Sequence, residues 1–116
     1  MDNNVLLISA DPTFIFMVTT IIDQLDLELL PVQEKNFRWE NIEEKKPRII
    51  IWDFEDSAKV SELEEKIHTY LPQECHIILF SNAISGLSHF NNGRLHLFQK
   101  PFSPSEISNL LKDICS

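Results

Sequence analysis

The sequence predicts an α/β domain built on a doubly wound parallel sheet, and three observations carry that prediction. Mostly apolar runs without alternation recur at Val5–Ile8, Ile49–Trp52, His76–Phe80 and Leu95–Gln99. An unalternated run marks a strand buried on both faces, as in a parallel sheet. The segments between them carry apolar residues at helical spacing. Five strands alternate with five helices along the chain, and this alternation puts helices on both faces of one sheet. At 116 residues and 43% hydrophobic content, residues 1–116 form a single domain with a sizeable core.

Each element has a local justification. Val5–Ile8 is the first strand. Asp11-Pro12 then opens a helix, with Asp11 as N-cap and Pro12 at the first helical position. Phe14, Val18, Ile21, Ile22 and Leu25 form its buried stripe. Leu27–Val32 is the second strand, and Pro31, which lacks a ladder N–H, assigns it to a sheet edge. Asn36 is placed to cap a short helix reaching Lys46, where Pro47 stops it. Ile49–Asp53, the third strand, ends on a carboxylate. Asp56 or Ser57 caps a third helix with Val60, Leu63, Ile67 and Leu71 inward and Glu62, Glu64, Glu65 and Lys66 toward water. His76–Phe80 is the fourth strand and leads into Ser81-Asn82-Ala83. From there to Gly93, Ser85, Gly86, Ser88, Asn91 and Asn92 oppose a stable helix, so the fourth helix is expected to be short or irregular. Leu95–Gln99 is the last strand, followed by Lys100-Pro101-Phe102. Ser103-Pro104-Ser105-Glu106 is a capping box that starts a last helix with Ile107, Leu110, Leu111 and Ile114 inward.

Charge and composition exclude several functions. Eighteen acidic against ten basic side chains give a formal charge of −8, which opposes binding to nucleic acid or to an anionic membrane surface. Met1-Asp2-Asn3-Asn4 has no basic leader, and no apolar stretch approaches the roughly 18 residues of a membrane span. Cys75 and Cys115 lack CxxC spacing and are too few for a disulfide framework, so a cytoplasmic location is expected. His68, His76, His89 and His96 show neither HxxxH nor HxH spacing; scattered surface or edge positions and no metal centre are expected. With Gly86 and Gly93 as the only glycines, neither a P-loop nor a dinucleotide fingerprint forms. Phe16 and Phe37 lie off the buried stripes, and Phe90 sits in the weak fourth helix; all three are candidate exposed anchors for a partner.

Ligands of a doubly wound sheet gather at the carboxyl ends of its strands. Asp53 ends the third strand, Ser81 follows the fourth, and Lys100-Pro101 follows the fifth. This order and spacing resemble the receiver domain of bacterial two-component response regulators, over nearly the whole chain. Pro47-Arg48-Ile49-Ile50-Ile51-Trp52-Asp53 is similar to the family's strand leading to its phosphoacceptor aspartate. Ser81 matches its hydroxyl residue, and Lys100-Pro101-Phe102 its lysine-proline-phenylalanine turn. The resemblance implies a flavodoxin-like sheet of order 2-1-3-4-5, with Asp53 at the phosphoacceptor position and Ser81 and Lys100 at phosphoryl-contact positions. It also implies protein partners: a histidine kinase, an output protein, or a second copy meeting the last strand and last helix.

The departures shape the functional expectation. Where the family carries two acidic residues that hold magnesium, this chain has Ser9 and Ala10. Phosphoryl transfer to a carboxylate brings anionic oxygens against an anion, and a divalent metal with a lysine offsets that charge. Magnesium is held by one or two carboxylates and water, so its binding is expected to be weak or absent. Asn82 replaces a small residue, Asp56-Ser57-Ala58 stands in place of a Pro-Gly turn, and Leu97 stands in place of the switch aromatic. Lys100 either neutralises Asp53 directly or stabilises a phosphoryl group. Asp11 is expected to cap its helix rather than bind metal, and Glu55 to be a solvated loop residue. The expected function is an atypical, pseudo-receiver signalling module, not an enzyme, that acts by protein–protein contact with phosphorylation of Asp53 lost or weak. The first rival is a receiver phosphorylated on Asp53. The second is a small flavodoxin-like enzyme or ligand binder, which requires a deep pocket at the strand ends.

Overall fold

A computed structural model describes residues 4–53, 65–67, 69–71, 74–81, 95–99 and 103–115. Its elements are β1 (Asn4–Ile8), α1 (Pro12–Asp23), β2 (Glu28–Val32), a 3-10 turn (Glu34–Asn36), α2 (Glu40–Lys45), β3 (Ile49–Asp53), β4 (His76–Ser81), β5 (Leu95–Gln99) and α3 (Pro104–Cys115). Residues 65–67 and 69–70 are also helical. The strands form one sheet of order β2-β1-β3-β4-β5 with every pairing parallel, as the sequence predicts. Pro31 sits on the β2 edge strand, where its missing N–H breaks no central ladder.

The unalternated runs are buried on both faces. All five residues of β3 are buried. Leu6, Ile8, Ile50, Trp52, Ile77, Leu79 and Leu95 turn to one face, where Ile42, Ile67 and Leu71 cover them. Val5, Leu7, Ile49, Ile51, Ile78 and Phe80 turn to the other, under Phe14, Val18, Ile21 and Ile22 of α1 and Ile107 and Leu111 of α3. Each fully buried aliphatic side chain contributes about 1.5–3 kcal/mol, so the two layers together hold the sheet.

Both helix starts form as their residues dictate. The Asp11 carboxylate accepts the Thr13 N–H at 3.0 Å. At α3, the Ser103 hydroxyl accepts from the Ser105 amide at 3.3 Å while the Glu106 carboxylate accepts from the Ser103 amide at 3.3 Å. The Glu106 contact is the return arm of a capping box, while the Ser103 hydroxyl caps the amide one position earlier.

One helix departs from expectation. Asn36 does not cap it: Asn36 closes the 3-10 turn, and α2 begins only at Glu40, after Trp39, with no side-chain cap. The cause is tertiary. Phe37 and Trp39 both pack on Trp52, with ring centroids at 5.2 and 5.4 Å, which commits residues 37–39 to the sheet face. Phe37 is therefore half-buried rather than an exposed anchor. The Asn41 side chain instead accepts the Arg38 N–H at 2.9 Å. Tyr70 extends the aromatic group by stacking on Trp39 at 6.2 Å, and Lys66 lies over the Tyr70 ring at 5.4 Å. Ile67 and Leu71 are buried as predicted. Asp56, Ser57, Val60, Glu62, Leu63, Glu64, the fourth helix and Phe90 lie outside the described residues. Among those described, no helix is long and apolar enough to cross a membrane.

The histidines are not all scattered. His76 opens β4, and His96 faces the same side from β5, opposite Ile78. Nδ1 of His76 lies 3.0 Å from Nε2 of His96, so one ring donates an N–H to the other. Burial, and secondarily the charge of His76, hold His96 below the usual 6.5. The unfolded chain therefore takes up a proton at His96 before the folded one does. The stabilising contribution is complete above about pH 6.5 and falls as pH drops through the lowered folded value. Urea denaturation between neutral pH and about pH 5.5 is expected to show falling stability; His96→Gln should flatten that fall, and an unchanged slope would contradict the assignment.

Candidate functional site

The register of the inner strands builds one corner at the carboxyl edge of the sheet. Ile8 of β1 pairs with Trp52 of β3, and Asp53 pairs with Phe80 of β4. Ser9, one step beyond β1, is kept in line by its amide, which donates to the Val32 carbonyl at 3.4 Å. Val5 and Leu7 share a face with Ile49 and Ile51, and alternation carries Ser9 and Asp53 to that same side. Ser9 is 0% exposed and Asp53 3%; among the described residues they are the buried polar or charged side chains.

They are buried together. The Ser9 hydroxyl donates to Oδ2 of Asp53 at 3.2 Å, and its oxygen accepts the Asp11 N–H at 3.0 Å. Asp11 in turn caps α1 through Thr13. A relay of carboxylate, hydroxyl and amide thus ties the end of β3 to the start of α1. A hydrogen bond to an ionised carboxylate is worth about 1.5–3 kcal/mol, which helps offset the cost of burying Asp53.

The three residues after β1 do not fit a resident magnesium ion. Ser9 contributes a neutral hydroxyl already bonded on both sides, Ala10 has no ligand atom and is exposed, and the Asp11 carboxylate is engaged at Thr13. Magnesium favours carboxylates with water in a near-ideal octahedron. Among the described residues, no group of three or more His, Cys, Asp or Glu side chains could hold a metal ion.

The other expected positions are reached in part. Ser81 is the last residue of β4 and pairs with Gln99, one step past the Asp53–Phe80 pair. The ends of β3, β4 and β5 therefore lie side by side. The side chain of Ser81 lies outside the described part of the structure, as do Glu55, Asn82, Lys100, Pro101 and Phe102. Leu97 pairs with Leu79 in the β4–β5 ladder.

Beside this corner an open groove of about 600 Å³ runs between α1 and the exit of β2, lined by Ser9, Ala10, Pro12, Ile15, Phe16, Thr19, Gln33 and Lys35. Phe16, 76% exposed, stands on it, in keeping with its place off the buried stripe. Lys35 is the one ionisable side chain among its lining residues. Nothing in the local sequence marks Gln33 or Lys35 as groove residues, because the wall forms only when β2 pairs with β1.

The sequence matches no protein-family model and no curated protein. Solved structures do match. A CheY-like response regulator of Mesorhizobium loti aligns with a TM-score of 0.71 at 20% identity, over 98% of this chain and 99% of that one. The chemotaxis protein CheY4 of Vibrio cholerae aligns with a TM-score of 0.72 at 13% identity, over 98% of this chain and 99% of that one. A candidate pilus assembly protein of Burkholderia thailandensis aligns with a TM-score of 0.64 at 16% identity, over 99% and 98%. At such identities the likeness is one of fold: this chain has the five-stranded doubly wound sheet found in response regulator receiver domains.

Proposed function

We propose that this chain is an atypical receiver module of two-component-type signalling that works in the cytoplasm through protein–protein contact, with phosphorylation of Asp53 lost or weak. The observation that carries the reading is the Ser9–Asp53 hydrogen bond. A neutral hydroxyl stands against the carboxylate where phosphoryl transfer calls for a divalent cation, and without that cation the transfer loses its main source of charge compensation. In this reading Lys100 neutralises Asp53, Ser81 is a turn residue, and output depends on surface recognition. The partner is a histidine kinase, an output protein, or a second copy meeting β5 and α3.

The second reading is a receiver phosphorylated on Asp53, with Ser81 and Lys100 contacting the phosphoryl group. It is favoured by the alignment of the β3, β4 and β5 ends. Titration with beryllofluoride and magnesium, followed by amide NMR, separates the two. The atypical module is expected to show no saturable shifts at Asp53 and Ser81. Saturable shifts centred there would establish the phosphoacceptor.

A further inference from the structure

At the end of the sheet opposite Asp53, two imidazoles twenty residues apart in sequence meet across adjacent strands. His76 and His96 occupy even-numbered positions on β4 and β5, on the same face as Ile78 and Phe98. Because His96 pairs with Ile78, His76 is its diagonal neighbour, a spacing at which long cross-strand side chains reach each other. The result is Nδ1 of one ring 3.0 Å from Nε2 of the other. We propose that His76 and His96 form a two-histidine site for a borderline divalent transition-metal ion such as Cu²⁺, Ni²⁺ or Zn²⁺.

Several physical points support the assignment. Imidazole nitrogens bind such ions at about 2.0–2.1 Å, so two adjacent ligands of one ion stand about 3 Å apart, the separation found here. The frame is preorganised: Ile77, Ile78, Phe80 and Leu95 are buried, and the β4–β5 ladder runs from Ile77↔Leu95 to Ser81↔Gln99, so little ordering is lost on binding. Both rings are half-buried rather than sealed in the core, so the pair borders solvent. The ion must displace the proton of the hydrogen bond between the rings, so its binding is expected to weaken as pH falls. The chain's formal charge of −8 raises the local concentration of cations.

Imidazole selects against hard ions that prefer oxygen, and the order of affinities follows Cu²⁺ above Ni²⁺ and Zn²⁺. This pair is therefore not expected to bind magnesium, and the site is independent of the chemistry at Asp53. Local sequence reasoning looks for HxxxH or HxH and passes over a pair created by strand crossover.

The test uses the intact chain, isothermal titration with Cu²⁺, Ni²⁺ and Zn²⁺ separately, and imidazole and amide NMR. One saturable site per chain is expected, with Cu²⁺ broadening centred on His76, His96, Ile78 and Leu95, and a higher melting temperature in Ni²⁺. His96→Gln should weaken binding at least about tenfold, since it removes half of the protein ligands, and should abolish the Ni²⁺ effect on melting. His76→Gln should do the same, and circular dichroism checks that each variant remains folded. The proposal is overturned by absence of saturable binding. It is equally overturned if affinity is unchanged in both folded variants, or if broadening centres on His68, His89 or the cysteines instead.

Discussion

Ser9→Asp is expected to destabilise the chain by about 3–5 kcal/mol at neutral pH, the range for an uncompensated buried charge. The hydroxyl it replaces is fully buried and lies 3.2 Å from Oδ2 of Asp53. A second carboxylate there faces the first across the same gap, and two carboxylates at such a distance oppose joint ionisation. The substitution also removes the donor to Asp53 and changes the acceptor of the Asp11 amide, loosening the start of α1. Urea denaturation of the variant beside the parent measures the loss, and adding Asp53→Asn in the same chain should recover most of it by deleting one of the two charges. Magnesium sharpens the comparison, because two carboxylate oxygens about 3 Å apart suit adjacent positions of its octahedron. It should raise the variant's unfolding midpoint and leave the parent's unchanged. A variant as stable as the parent without cation would overturn the prediction and show that the second carboxylate is compensated at this corner.

Phe80→Ala is expected to cost about 3–5 kcal/mol, the range for deleting a large buried aromatic side chain. Phe80 is fully buried, meets Phe14 of α1 edge-on at 5.2 Å and stacks on Phe98 of β5 at 5.2 Å. It is also the residue that pairs with Asp53 across the β3–β4 ladder. Its loss opens a cavity under α1 and removes the stacking contact with Phe98 of the β5 edge strand. Hydrogen exchange should therefore accelerate most in β5, and the denaturation midpoint should fall. Phe80→Leu, which keeps much of the volume, should cost about 1.5 kcal/mol or less. Equal costs for the two substitutions would mean that the cavity closes by local collapse.

These effects rest on features that were unequally legible in the sequence. Ile49–Asp53 reads directly as a strand buried on both faces, because continuous apolar character leaves no solvent side. Asp11-Pro12 and Ser103-Pro104-Ser105-Glu106 declare their helix starts, because a cap is satisfied within three or four residues. Asn36 misleads for the complementary reason. It has the chemistry of a cap, but burying Phe37 and Trp39 against Trp52 outweighs a local capping bond worth about 1 kcal/mol. Ser9 and Ala10 are visible as departures from an acidic pair. What Ser9 does in its place is not visible, since the side chain it meets lies 44 residues away.

The sequence by itself determined the layered α/β class, the strands and their burial, the edge position of β2, and the presence of a carboxylate at the end of β3. These follow from periodicity, proline and capping, all of which act over one turn or one strand. The tertiary structure alone decided that Asp53 is held by a hydroxyl, that His76 and His96 are hydrogen-bonded, and that Phe37 and Trp39 pack on the sheet. The physical reason is common to all three. Contacts between side chains on different strands depend on strand order and register, and those are selected by the packing of the whole core rather than by any local pattern.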